Sequence, residues 1–234
     1  FLLASTYDQD MHANPNNPSA TNGTDQAWGG NRARPDLVKK FFPNGNVPNL
    51  ESYATAEAAG DDRALFCGVN RTLDNDDVAT FKSGFAVAKF TNFKTDGSAG
   101  HDATFPDADF FLMRAAEAYL NFAEADARLN GGETTAEGTA AINAIRKRAN
   151  ASTREDKGYS LNDICDEWSR EFYFEGRRRM DLIRFNRYGG NVNYNWQWKG
   201  GTKEGRNFSK DLNIFAIPTN ELTSNKNLIQ NPGY

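Results

Sequence analysis

The chain is poor in the residues on which most metal and redox chemistry depends, with two cysteines and two histidines among 234 residues. Cys67 and Cys165 lie far apart, without CxxC spacing or neighbouring histidine pairs, which excludes a zinc ribbon and a dithiol redox motif. Two readings of these cysteines stay open: buried free thiols or one long-range disulfide. An excess of positive charge is also missing. With a net charge of −4 and a pI near 5.3, no basic face is available for phosphate recognition, and nucleic acid is excluded as a partner. No apolar run approaches the length of a membrane-spanning helix. The chain opens on Phe1 without an initiator Met, a basic leader or a small-residue cleavage site, so an upstream part is expected to have been removed. "GGNRARP" and "WKGGTKEG" lack the GK[ST] ending of a phosphate-cradling loop. "DQD" (8–10) and "DNDD" (74–77) miss the calcium-loop template and read as solvated loop acids. Neither a metal nor a cofactor is expected.

What is present is enough apolar character, 38% of residues, to bury a core. Residues 1–106 are rich in Asn, Asp, Gly and Pro, which favour turns through local backbone hydrogen bonds and positive φ. This segment is read as long loops with short helices and a strand pair. "PDLVKKFF" (35–42) opens a short helix with Pro35 in its first turn, and "GFAVAKFTNF" (84–93) alternates as a strand does. From 107 to 188 the character is helical. In the first helix Phe111, Ala115, Ala118, Phe122, Ala125 and Leu129 form one apolar row, and Leu112, Ala116, Leu120 and Ala123 a second, with Gly131 and Gly132 as the stop. Two apolar rows predict a helix packed between neighbours. The second helix starts at a capping box, Thr134 to Glu137, and turns Ile142, Ile145 and Ala149 inward. The third starts at another, Ser160 to Asp163, with Leu161, Ile164, Trp168 and Phe172 on one side. Residues 189–234 read as an irregular C-terminal strap. The fold class is therefore mainly α, with tetratricopeptide-like helical hairpins wrapped by long loops, although no clean 34-residue period is visible.

The segment "EWSREFYFEGRRRMDLIRF" (167–185) places Glu171 and Glu175 one helical turn apart, followed by Arg177, Arg178 and Arg179. A general acid needs a raised pKa and a position facing its partner across a substrate bond. Two carboxylates on one helix face point the same way, and arginines at i+3 and i+4 hold them ionised. The pair is read as a structural strut, and no catalytic residue is assigned.

These helical blocks also carry a resemblance. "DADFFLMRAAEAYLNFAEA", "AINAIRKRAN", "EWSREFYFEGRRRMDLIRF" and "FAIPTNELTSNKNLIQNPGY", in this order, resemble the C-terminal half of SusD/RagB proteins. "WGGNRARPDLVKKFF", "DDRALF" and "GFAVAKFTNF" are similar to the stretch preceding them, so the resemblance covers nearly the whole chain. It implies a SusD-like α/α superhelix, here as a single domain lacking its N-terminal half. It also implies a non-catalytic, surface-exposed outer-membrane lipoprotein of Bacteroidetes that captures oligosaccharide or polysaccharide. Such a protein delivers its ligand to a SusC-like TonB-dependent transporter. Neither cysteine is placed to be the lipid anchor, so membrane attachment through an N-terminal lipid lies outside this chain. Two rival classes are a glycoside hydrolase and a helical protein-docking module that binds no sugar.

A sugar offers apolar C–H faces and a hydroxyl rim, so its site needs aromatic platforms ringed by polar groups. Two segments qualify. One joins Tyr7, Asp8 and His12 to Trp28 through an Asn-rich loop. The other, "YNWQWKGG", puts Tyr194, Trp196 and Trp198 on one side of an extended segment at about 6.6 Å intervals, as a ladder for successive rings. The competing reading of this second segment is a flap whose rings pack on the helices. Trp28 beside Gly29 and Gly30 also fits a buried ring at a tight turn, and His12 and His101 fit ordinary loop histidines.

Overall fold

The computed structural model describes residues 32–234 apart from 78, 81, 91–92, 99, 102–108, 110 and 191. Among the described residues there are seven α-helices and one two-stranded sheet, a mainly helical fold. No helix among them is long and apolar enough to cross a membrane. By internal contact the chain falls into two units, the first ending at Glu171 and the second running from Phe172 to Tyr234. Each has its own logic.

In the first unit, α1 (Pro35–Lys39) begins at a proline whose fixed φ suits a first turn, as the sequence predicts. α2 (Ser52–Ala59) is followed by β1 (Phe66–Cys67) and β2 (Ala86–Val87), antiparallel with Phe66 opposite Val87 and Cys67 opposite Ala86. Phe66 packs edge-on against Phe41 at 5.5 Å. Three longer helices follow: α3 (Ala115–Leu129), α4 (Ala136–Arg148) and α5 (Leu161–Phe172). The α3–α4 turn runs through Gly131 and Gly132 at φ 72° and 99°, a region that side chains avoid. α3 and α4 pack on one another as an antiparallel pair.

The expected two-sided burial of α3 is not what the structure shows. Ala116, Leu120, Ala123 and Ala127 are buried, together with Glu124, whose Oε2 accepts a 3.0 Å bond from the buried Trp168 indole. The row of Phe111, Phe122 and Leu129 is exposed, Leu129 by 85%. The helix also starts later than its apolar pattern does. Arg114 is extended, so Phe111 and Leu112 precede the first turn. The Thr134–Glu137 capping box is replaced as well. The Asp126 carboxylate accepts from the Thr135 backbone N–H (2.7 Å) and hydroxyl (2.9 Å), while Thr134 bonds Thr139 and Tyr159. A tertiary partner has taken the role of the local one. The Ser160–Asp163 box forms as predicted, with Ser160 N–H donating to Asp163 Oδ2 at 2.9 Å and Asp163 N–H to Ser160 Oγ at 3.2 Å. Ile142, Ile145, Ala149, Ile164 and Trp168 are buried, and both cysteines are free.

The second unit holds α6 (Arg178–Arg184), two single turns of 3₁₀ helix (Lys199–Gly201 and Lys210–Asn213) and α7 (Thr219–Ser224). The tail is fixed by side chains rather than by pairing. Gln230 exchanges two bonds with the Ile217 backbone, Asn231 Nδ2 donates to Phe215 O at 2.8 Å, and the Tyr234 hydroxyl donates to Ile214 O at 2.8 Å.

The face assignment of α3 is testable by a matched pair of truncations. Leu120→Ala is expected to lower unfolding stability by about 2–5 kcal/mol, the range for a buried leucine. Leu129→Ala on the same helix should change it by less than about 0.5 kcal/mol. Urea denaturation followed by circular dichroism of the two variants measures both.

Candidate functional site

Of the two aromatic segments, Tyr7, Asp8, His12 and Trp28 lie outside the described residues. Tyr194, Trp196 and Trp198 are described, and all three are half-buried. Their arrangement is a knot more than a ladder. Tyr194 and Trp196 meet edge to face, with centroids 5.5 Å apart and planes at 69°. Trp198 has φ 66°, ψ −1°, a left-handed conformation uncommon for a non-glycine residue, which ends the extended spacing. Its N–H bonds Lys203 O at 3.1 Å, and the loop folds back on itself. Gly205 permits this, since a Cβ there would collide with the Trp196 carbonyl.

At the centre of this knot stands Lys199, 3% exposed, a residue that reading the segment for aromatics overlooked. Its ammonium donates to Tyr194 O at 2.6 Å and Arg187 O at 3.3 Å, and lies 4.9 Å from the Trp196 ring centroid and 5.6 Å from that of Phe208. Carbonyl oxygens and ring faces compensate a buried cation, while burial lowers its pKa below the usual lysine range. The Tyr194 hydroxyl accepts from Arg178 at 2.6 Å, and the Arg187 guanidinium sits 5.1 Å from the Tyr194 ring centroid. The sequence signal was available: a lysine flanked by tryptophans and glycines in "WQWKGG". Lys199 thus ties the loop together, and Trp196 and Trp198 each remain partly exposed.

The carboxylates are placed differently from the sequence expectation, and the difference decides their role. α5 ends at Phe172 and Phe174 has φ 60°, so Glu171 and Glu175 do not share a helix face. The partner of Glu171 on α5 is Glu167, one turn earlier. Both are buried. Glu167 is bonded by Arg63 (2.7 Å), Arg146 (2.7 Å) and Arg170 (2.7 Å), and Glu171 by Arg63 (3.0 Å), Arg114 (2.8 Å) and Arg148 (2.7 Å). Burial pushes both carboxyl pKa values up, but the guanidiniums outweigh it and hold both below the ordinary range. The sequence-adjacent arginines serve other partners. Arg178 bonds Tyr194, Arg179 donates to the carbonyls of Leu212 and Asn213, and Arg177 pairs with Asp181 at 3.4 Å, the last as its spacing predicts. The guanidiniums around Glu167 and Glu171 favour the ionised form of both carboxylates. The ion-paired reading of Glu171 holds, with Glu167 as its partner on the helix, one local arginine (Arg170) and four from other elements.

A mainly helical chain with these blocks defines a class. Residues 54–234 match the sequence profile of the SusD family, and the chain belongs to that family. Among individual proteins it is 38% identical over 243 residues to the starch-binding protein SusD of Bacteroides thetaiotaomicron, covering 91% of this chain and 43% of that one. A SusD-like protein from Bacteroides fragilis shares the fold with a TM-score of 0.58 at 20% identity, covering 98% of this chain and 50% of the other. A SusD superfamily protein from Bacteroides vulgatus gives 0.51 at 26% identity, covering 78% and 38%. The chain spans less than half the length of the curated relative it matches.

For the carboxylate pair, Glu171→Gln is expected to cost about 3–5 kcal/mol, the range for leaving buried charges unpaired. Because folding lowers the pKa of Glu167 and Glu171, their contribution is complete above the unfolded value of about 4.3 and is lost as pH falls through the folded values. Urea midpoints between about pH 7 and about pH 3 should therefore fall with acid in the wild type and fall less steeply in the variant.

Proposed function

We propose that this chain is part of a non-catalytic cell-surface protein that captures an oligosaccharide or polysaccharide and hands it to a SusC-like TonB-dependent transporter. In this reading the whole protein is held at the outer membrane by an N-terminal lipid carried outside the sequence described here. The observation that carries the proposal is the 38% identity to a starch-binding protein across 91% of the chain. The half-buried Trp196 and Trp198, with Tyr194 against Trp196 and the Arg178 and Arg187 guanidiniums at Tyr194, supply apolar rings and donors of the right chemistry. Tyr7, Asp8, His12 and Trp28 complete the candidate set from the first segment. Binding by a few stacked rings and hydroxyl bonds gives modest affinity, which suits a carrier that must release its ligand.

The test is native affinity electrophoresis of the chain through gels containing amylopectin, laminarin or other polysaccharides. Wild-type chain should be retarded in at least one gel. Trp28→Ala, or the double change Trp196→Ala/Trp198→Ala, should relieve the retardation with an unchanged circular dichroism spectrum. A wild-type chain that migrates alike in every gel would overturn the proposal.

A further inference from the structure

The first unit contains a cleft of about 600 Å³ between α1 with its following turn, the end of α2, and α5. That volume falls within the range of small-molecule sites, about 300–1,000 Å³. Much of its charge is already committed. Arg154 is clamped on Asp163 (2.8 and 2.9 Å), and Arg170 bonds Glu167 and donates to Lys40 O at 3.1 Å. What the wall still offers is narrower. The Lys40 ammonium bridges Asp36 at 3.0 Å on its own helix and Asp166 at 3.5 Å on α5, and the two carboxylate side chains remain about one-third exposed. Asp166 Oδ1 is sealed from solvent against Lys40, so the exposed part of this carboxylate is what the cleft wall offers to a donor. Lys39 is exposed beside them, and the ring of Pro43 presents an apolar face at the rim.

These groups restrict the ligand by sign. An anion would meet Asp36 and Asp166, and a cation would meet Lys39 and Lys40. A neutral molecule rich in hydroxyls suits this wall, donating to the exposed carboxylate oxygens that Lys40 holds in place, accepting from Lys39 and laying C–H surface on proline. We infer that the Asp36–Lys40–Asp166 cleft is a second saccharide site, separate from the aromatic segments and taking a short neutral oligosaccharide. The inference rests on the glycan-binding reading given above, and its test separates the two.

Isothermal titration with maltoheptaose would compare the wild-type chain, the Trp196→Ala/Trp198→Ala pair and an Asp36→Ala/Asp166→Ala pair. The wild type should show two classes of site. The aspartate pair should remove one of them, by at least about tenfold in affinity, the loss expected when hydrogen bonds to charged groups are deleted. The tryptophan pair should leave that class in place. Should the alanine pair fail to fold by circular dichroism, the isosteric Asp36→Asn/Asp166→Asn pair replaces it, with weakening of the same class expected. Wild-type binding that neither aspartate pair alters overturns the cleft and leaves the glycan reading standing. No maltoheptaose binding by the wild type overturns the cleft as a maltooligosaccharide site, while retardation of that same chain in a polysaccharide gel keeps the broader reading.

Discussion

Two carboxylates one turn apart on α5, Glu167 and Glu171, gather five guanidiniums from four places in the sequence: Arg63 after α2, Arg114 before α3, Arg146 and Arg148 at the end of α4, and Arg170 on α5 itself. Charges taken out of water are expensive, and their mutual attraction compensates only when every lone pair is met with good geometry. Here each oxygen has a donor within 3.0 Å. The consequence is specificity of arrangement. A small slip of α4 along α5, or of the α2–β1 connection against either, would strand a buried charge, and such an error is far more costly than a slip between apolar faces. Arg63 is held further by Asp61 at 2.7 Å, and the Lys89 ammonium donates to Glu171 O, so the strand region is tied to the same point.

The second unit solves a related problem with different means. Its buried cation, Lys199, is compensated by carbonyl dipoles and ring faces, with no carboxylate among the partners the structure assigns to it. One ammonium thereby joins the Tyr194 carbonyl to the rings of Trp196 and Phe208. Arg179 plays a parallel part, donating to two carbonyls while its guanidinium carbon lies 4.0 Å from the Phe215 ring centroid and 5.1 Å from that of Tyr188. In the first unit Lys40 plays the reverse part, a cation holding the carboxylates of Asp36 and Asp166 together.

Legibility in the sequence followed the range of the interaction. Pro35 at a helix start, the Ser160–Asp163 box, the double glycine after α3 and the inward face of α4 are all decided within a few residues, and each was readable. The replaced cap at Thr135 was not, because Asp126 reaches it across a turn. Nor was the exposed row of α3: a pattern of apolar spacing reports that a face is able to be buried, whereas what covers it is set by other parts of the fold. Trp196 and Trp198 were legible as aromatic candidates, but the edge-to-face pairing and the left-handed Trp198 depend on Lys199 and Gly205 arriving in the same loop.

By itself the sequence determined the helical class, the ordered blocks that mark the family, and the ion-paired nature of the glutamate at 171. Those are properties of composition, local spacing and sign of charge. Only the tertiary structure decided which glutamate joins Glu171, which arginines neutralise the two, whether Cys67 and Cys165 pair, and that Asp36 and Asp166 share one lysine at a cleft. Each of these joins residues from different elements, and a charge or thiol takes its partner from what the fold brings within a few ångströms, whatever its neighbours in the chain.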